Sequence, residues 1–251
     1  SQQPQLLPVP SFATAMANRN HFHTDNRQGI SRYFLGDLRG EAVFASGRTN
    51  ADAFGHVAVG EQRSRLLITK FFNNLTGSAT DPLENRYLTS LAILRPSVLY
   101  LRLAEAINRL GRPTAAFAVL KYGLNHATLS DTLRIDTAEI SPLPTYLNFN
   151  DDRFSSNIGT AARGCGLGIV FDRALYVIPE GVDSVDFVEK AILEELASET
   201  CFEGNRFFDL LCVSRHREGH PAFMAEQVSR KYASPEIMRQ QLLTLDSWFV
   251  K

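Results

Sequence analysis

The 251 residues include 26 Lys and Arg and 27 Asp and Glu, which gives a formal net charge of -1 at pH 7. A nearly neutral chain has no long-range attraction to nucleic acid or to an anionic membrane surface, so both are excluded as partners. With 44% hydrophobic and 21% charged residues, the composition is that of a globular protein. No apolar run of 18 residues is present, so no membrane-spanning helix is expected.

Three cysteines are too few for a disulfide framework. The odd count leaves at least one of Cys165, Cys201 and Cys212 unpaired, and we expect Cys201 and Cys212 to be small buried hydrophobic side chains rather than a bridge. Residues 1–30 are rich in Pro, Gln and Asn and predict irregular structure. His21 and His23 form an H-x-H pair, but only Asp25 is near enough to add a third ligand. We therefore expect solvated loop histidines and no metal or other cofactor.

Residues 30–45 contain two short runs of β-branched and aromatic residues on either side of a glycine-bounded segment, residues 36–40. This pattern predicts a β-hairpin. Residues 65–72 predict a further strand, and residues 46–64 and 73–85 predict loops.

Residues 97–127 predict an antiparallel helical hairpin. The first helix carries an apolar stripe, Gly111 ends it, and Pro113 occupies the first turn of the next helix. The stripe comprises Leu99, Leu103, Ile107 and Leu110, and the second helix is lined by Phe117, Leu120 and Leu124. The hairpin resembles one tetratricopeptide-type unit, which must pack on other helices because a single unit cannot bury a solenoid core.

Residues 124–160 predict loops and short strands, and residues 174–179 predict a strand. The glycine-rich run at residues 163–168 is not a phosphate loop, because it precedes a predicted strand and no Lys-Ser/Thr pair follows it. We interpret it as a tight turn.

Residues 183–217 form the longest strongly patterned run, and they predict an amphipathic helix capped by Asp183 or Ser184. Gly204 interrupts it before a second helix. In the first helix the predicted core-facing residues are Val185, Val188, Ile192 and Leu196, and the predicted solvent-facing residues are Glu189, Lys190, Glu194 and Glu195. In the second helix the predicted core-facing residues are Phe207, Leu210, Leu211 and Val213. Two short helices opened by Pro221 and Pro235 follow.

Ionisable side chains recur at helical spacing through this run: Glu195, Glu199, Glu203, Arg206 and Asp209. Paired carboxylates can act as general acid and base, but carboxylates at this spacing beside an arginine more often form a structural ion-pair network. His216 and His220 have the spacing of a zinc-protease pair. Gly219 and Pro221 break the helix that would bring the two rings onto one face, so we reject a metal site there.

The run from Glu195 to Leu210, and above all Glu203-Gly204-x-Arg206-x-x-Asp209-Leu210, resembles the C-terminal signature of the SusD/RagB family. Leu196 and Cys212 stand where that family usually has arginine. Residues 93–111, in which an arginine-containing segment leads into a helix bearing Ala-Glu-Ala, resemble a second family motif in the same order. The closing Trp248-Phe249 resembles the ending of family members.

This resemblance implies a mainly α, SusD-like helical fold with a tetratricopeptide-type hairpin, long loops and a few short strands. Family members are longer and carry a lipoprotein signal, so residues 1–251 are expected to be the C-terminal part of one domain. Its regions are residues 1–90 with loops and short strands, 91–130 with the helical hairpin, 131–182 with loops and a strand, and 183–251 with the C-terminal helices.

The resemblance also implies a non-catalytic protein at the outer-membrane surface, held by a lipid anchor that lies outside this sequence. It would bind an oligosaccharide or peptide nutrient and deliver it to a SusC-like TonB-dependent transporter. Sugar rings stack on aromatic faces, so aromatic residues in or beside predicted loops are the candidate ligand contacts. These are Tyr33, Phe71, Phe72, Tyr87, Tyr146 and Phe149.

Two other functions remain open from the residues alone. One is a helical scaffold that binds only protein, with the hairpin as its interaction surface. The other is a hydrolase that uses the carboxylates of Glu199, Glu203 and Asp209.

Overall fold

A computed structural model of the protein describes residues 12, 15–16, 23–25, 32–34, 37, 39, 44–46, 66–68, 95–160, 176–217 and 220–244. Within these residues the protein is mainly helical, as predicted. The helices are α1 (Pro96–Arg109), α2 (Pro113–Tyr122), α3 (His126–Leu129), α4 (Thr137–Ile140), α5 (Ser184–Glu199), α6 (Arg206–His216), α7 (His220–Ser229) and α8 (Pro235–Leu242), and the strands are β1 (His23–Asp25), β2 (Arg32–Phe34), β3 (Phe44–Ser46) and β4 (Leu66–Ile68).

None of these helices is long and apolar enough to cross a bilayer. The chain forms two compact units, residues 1–198 and residues 199–251. The finer division into four regions stays a prediction.

The four strands form two separate antiparallel pairs, β1 with β2 and β3 with β4. The predicted hairpin between residues 30–35 and 41–45 is therefore wrong, although both runs contain a strand. Between these two runs, where a hairpin turn was predicted, Asp37 and Arg39 form a partly buried ion pair. The Asp37 amide also donates a hydrogen bond of 2.9 Å to the Met16 carbonyl.

The predicted helical hairpin is present as α1 and α2. Each helix begins with a proline in its first turn, and Gly111 between them has a left-handed φ of 74°. The predicted apolar stripe of α1 is wrong in phase. Of its four residues only Ile107 is buried, while Leu99 and Leu110 are exposed, because the helix buries Leu101, Ala104 and the stem of Glu105 instead.

Helix α2 is the centre of the core of the first unit. Every residue from Ala115 to Lys121 is buried, and the predicted inward residues Phe117, Leu120 and Leu124 are confirmed. The N-terminus of α2 receives a cap from a distant helix. The Glu139 carboxylate of α4 accepts hydrogen bonds from the amides of Thr114 and Ala115, at 3.0 and 2.8 Å.

Residues 124–160 contain no strand, contrary to the prediction. They form α3, α4 and two short 3-10 helices, Thr145–Leu147 and Asp152–Phe154. Side-chain caps explain the preference for turns, since Asn125 and Asp136 accept hydrogen bonds from the amides of the helices that follow them. The end of this segment returns to α2, where a Cβ on Gly123 would lie 2.1 Å from the Asn157 carbonyl oxygen.

The described part of the predicted strand at residues 174–179 is not a strand. Tyr176 in this segment packs its ring on Phe117, with the centroids 4.7 Å apart, and serves as a core contact.

Helix α5 begins at the predicted cap, since Asp183 accepts a 2.8 Å hydrogen bond from the Asp186 amide. Its apolar face is confirmed by the burial of Val188, Ile192 and Leu196. Three of the predicted positions are wrong: Val185 is exposed, while Glu189 and Glu195 are buried. The predicted outer face is therefore only partly solvated, since Lys190 and Glu194 are exposed while the two other glutamates are buried.

The second unit contains α6, α7 and α8, and the prolines at residues 221 and 235 open the last two, as predicted. In α6, Leu210 and Val213 are buried as predicted, whereas Phe207 is exposed and Leu211 is half-buried. Cys201 is buried and Cys212 is exposed, so only the first behaves as a core residue, and neither forms a disulfide. His216 ends α6 and His220 begins α7, on separate helices.

The glycine-rich run at residues 163–168, Cys165, His21, Trp248 and Phe249 lie outside the described residues. Within the described part of the chain, no group of three or more His, Cys, Asp or Glu side chains could hold a metal ion.

Candidate functional site

Of the two predicted ligand contacts whose side chains the structure describes, Tyr146 and Phe149, the first is the more exposed. It lies in the 3-10 helix Thr145–Leu147, where a tight turn places successive side chains on different sides. Leu147 is completely buried in the core, which anchors the turn, and the neighbouring Tyr146 side chain is 48% exposed. The local sequence therefore holds an aromatic ring at the surface by burying the residue beside it.

Polar side chains follow Tyr146 in the chain and are also exposed. Asn148 accepts a hydrogen bond from the Asn150 amide at 3.3 Å, which closes a turn. Asp151 caps the second 3-10 helix and forms two side-chain hydrogen bonds with Arg153, from Nε and from Nη2, both at 2.9 Å. We call Tyr146, Asn148, Asn150, Asp151 and Arg153 the Tyr146 surface.

Both partners of the ion pair in this surface are charged at physiological pH. The hydrogen bonds from Arg153, first from its side chain and then from its amide, lower the pKa of Asp151 from an ordinary value of 3.8 to about 2. The guanidinium and carboxylate are both exposed, so they add little to stability. They do present one planar donor group and one acceptor group beside the amides of Asn148 and Asn150.

Phe149 has a supporting position. It is half-buried, packs against the core of the first unit, and meets the edge of Phe154 at a ring-centroid distance of 5.1 Å. This T-shaped pair packs the turn after the first 3-10 helix against the second 3-10 helix.

The other four predicted ligand contacts are not brought together with Tyr146 by any described contact. Tyr33 lies in β2, where only the backbone is described, and Phe71, Phe72 and Tyr87 lie outside the described residues. As ligand contacts, all six stay predictions.

The Tyr146 surface has the chemistry of a sugar-binding surface. An exposed aromatic ring offers a face for the C–H-rich side of a pyranose, while amide, carboxylate and guanidinium groups can exchange hydrogen bonds with hydroxyls. Nothing in this set of groups needs to transfer a proton or form a covalent bond for binding to occur.

The family-signature residues fall in both units, and Glu195 is the one with the clearest role. Its carboxylate accepts a 2.9 Å hydrogen bond from Nη2 of Arg39, and the same guanidinium bonds Asp37 through Nε and Nη2. The side chains of Glu195 and Asp37 are 2% and 0% exposed, and that of Arg39 is 14% exposed. Burial alone would lower the pKa of Arg39, but the two carboxylates outweigh it, so this pKa is raised well above its ordinary value.

Sequence reasoning missed Arg39 as the partner of Glu195. The two residues are 156 positions apart, and a single sequence carries no periodicity over that distance. Asp37-x-Arg39 is an ordinary local pair that does not indicate a third member.

The remaining signature residues belong to the second unit. Gly204 has a left-handed φ of 84°, which favours glycine before α6 begins at Arg206. Asp209 is completely buried, while Glu203 and Arg206 are half-buried. A buried carboxylate in the first turn of a helix fits a structural role better than contact with a polymeric substrate.

Comparison with known families gives one result for this chain. The model of the SusD family matches residues 49–217, well over half of the chain. Comparisons with curated proteins and with solved structures find no match. Members of the SusD family are generally non-catalytic nutrient-binding proteins of the outer-membrane cell surface. From its family signature, its helical fold and the extent of this match, we conclude that the chain belongs to the SusD family.

Proposed function

We propose that this protein binds an oligosaccharide nutrient, or in the alternative a peptide, at the cell surface and leaves it chemically unchanged. The bound nutrient passes to a SusC-like TonB-dependent transporter in the outer membrane. The protein stays at the membrane through a lipid anchor outside this sequence.

The observation that carries the proposal is the exposed Tyr146 ring, followed within seven residues of the chain by exposed amide and charged side chains, in a chain of the SusD family. A solvent-exposed tyrosine offers a large rigid contact area, and its neighbours supply both donors and acceptors for hydroxyl groups. Of the three carboxylates of the hydrolase alternative, Asp209 is 0% exposed, and Glu199 and Glu203 are half-buried.

The experiment is native affinity electrophoresis of the 251-residue chain in gels that contain plant, host or microbial polysaccharides. We expect retardation in at least one gel without release of reducing ends. Tyr146→Ala should weaken the retardation by about tenfold in apparent Kd, which corresponds to about 1.4 kcal/mol.

Tyr232→Ala is the matched control, since Tyr232 is 42% exposed but lies in the second unit. It should migrate like the parent chain. Retardation that survives Tyr146→Ala would remove this surface from the proposal, and release of reducing ends would favour the hydrolase. If no polysaccharide retards the chain, a peptide panel tests the alternative ligand.

A further inference from the structure

Residues 124–160, which the structure describes throughout and which include the Tyr146 surface, carry an excess of negative charge. They contain five acidic residues and two arginines, which is a net charge of -3 with histidine neutral. The acidic residues are Asp131, Asp136, Glu139, Asp151 and Asp152, and the arginines are Arg134 and Arg153. The whole chain has a net charge of only -1, so the excess is a property of this segment.

Both arginines of the segment already bond a carboxylate. Nε of Arg134 lies 3.0 Å from an oxygen of Asp131. Arg153 donates from Nε and from Nη2 to the two oxygens of Asp151, both at 2.9 Å. Lys121, the cation that precedes the segment at the end of α2, is only 8% exposed. An anionic ligand would therefore have to compete with a carboxylate for either arginine.

The other three carboxylates form no ion pair with a described residue. Asp136 and Glu139 accept hydrogen bonds from backbone amides, and Glu139 is buried. Asp152 is exposed and lies six residues after Tyr146, which is at most about 20 Å even along an extended chain. Asp152 is thus the exposed, unpaired charge that follows Tyr146 most closely in the sequence.

This distribution of charge affects neutral and acidic sugars differently. A uronate or sulfate group at this surface is repelled by Asp152, and it loses hydration without gaining a free cation. A neutral sugar meets neither penalty, and its hydroxyls can donate hydrogen bonds to the same carboxylate. The repulsion acts over about 30 Å at 0.01 M salt and over about 8 Å at physiological salt.

We propose that the Tyr146 surface selects uncharged oligosaccharides and rejects those that carry uronate or sulfate groups, with Asp152 as the specificity-determining residue. This inference rests on the proposed function, since it names the class of glycan that the same surface binds. Stacking on Tyr146 contributes affinity for neutral and acidic rings alike, and the unpaired negative charge contributes the selection.

The test compares polymers that differ only in charge. Each neutral polysaccharide of the panel is paired with the same polymer after partial oxidation of its primary hydroxyls to carboxylates. Polygalacturonate is paired with its carboxyl-reduced form. By isothermal titration calorimetry of the 251-residue chain at about 10 mM salt, the charged member should bind at least about threefold more weakly in every pair whose neutral member binds. At about 0.5 M salt the difference should vanish.

Asp152→Arg reverses the charge that we hold responsible. It should lower the ratio of the two Kd values, charged member over neutral member, to about one or below. Glu236→Arg is the matched control, since Glu236 is also exposed and in the first turn of a helix, but lies in the second unit. It changes the net charge of the chain by the same amount and should leave the ratio as it is in the parent chain. Circular dichroism checks that both variants are folded.

Equal binding of the two members of a pair, or tighter binding of the charged member, would overturn this proposal and leave the proposed function standing. The same holds for a ratio that salt does not change, or one that Glu236→Arg changes as much as Asp152→Arg, because selection would then not come from the charge of Asp152. If no polysaccharide of either kind binds, the proposed oligosaccharide binding fails and this proposal fails with it.

Discussion

Removal of the Arg39 guanidinium is the most direct test of how the family signature stabilises this fold. The guanidinium joins Asp37 and Glu195, whose side chains are 0% and 2% exposed, at 2.6 and 2.9 Å. Arg39→Met keeps much of the side-chain volume and removes the charge together with the N–H donors that bond the two carboxylates. Both carboxylates then lose the cation that they share inside the first unit.

The expected cost follows from burial. Removing one partner of a buried ion pair costs about 3–5 kcal/mol, because the remaining charge is still desolvated. We expect Arg39→Met to lie in that range, since two carboxylates are affected. Glu195→Gln should cost less, about 1–3 kcal/mol, because Arg39 keeps its bonds with Asp37. In the double variant the two costs should fall short of additivity by about 1 kcal/mol or more.

Urea denaturation followed by circular dichroism measures these free energies of unfolding. Arg153→Met is the control, because it removes an arginine from a fully exposed ion pair and should leave the unfolding midpoint unchanged. A loss below about 1 kcal/mol for Arg39→Met, or a double variant whose loss equals the sum of the single losses, would refute the structural role that we assign to this ion pair.

Three further predictions concern local geometry and charge. Gly123→Ala should destabilise the chain by several kcal/mol on thermal unfolding, since its φ is 101° and its Cβ would overlap a backbone carbonyl; Gly181→Ala, at φ 77° with open space around it, should cost only about 1 kcal/mol. Glu139→Ala removes the buried cap of α2 and should cost about 1–3 kcal/mol in urea, and an unchanged midpoint would contradict that role. By NMR titration the carboxyl of Asp151 should have a pKa below its ordinary value of 3.8, because the Arg153 side chain and amide donate hydrogen bonds to it, so the ion pair is complete above 3.8 and is lost as the pH falls below that value; Arg153→Met should return this pKa toward 3.8, and no change on substitution would refute the pairing.

The starts and ends of helices could be predicted from the sequence because they depend on residues within one turn. Asp183 caps α5, Pro113 opens α2, and Gly111 and Gly204 take left-handed φ values between helices. Each of these features is determined by interactions between neighbouring backbone and side-chain groups. The family signature around Glu203 could be recognised for a similar reason, since its members lie close together in the chain.

The phase of α1 could not be predicted, because both of its faces carry leucine and alanine. Periodicity selected the stripe that contains Leu99 and Leu110, and packing against α2 buries Leu101 and Ala104 instead. The same limit applies to α5, where amphipathicity placed Glu195 on the solvent face. Arg39 makes burial of that carboxylate possible, and only the folded chain brings Arg39 to it.

The candidate site shows the same division. An aromatic residue in a loop made Tyr146 a candidate, equal at that stage to five others. The burial of Leu147 beside it, and of Phe149 in part, decides which ring is presented to solvent and which supports the turn.

The sequence by itself therefore determined the helical class, the starts and ends of the long helices and the family, all of which follow from interactions between near neighbours in the chain. The tertiary structure alone decided which face of each helix is buried, which strands pair, and which carboxylate meets Arg39. These outcomes depend on contacts between residues far apart in the chain, and no local pattern specifies their partners.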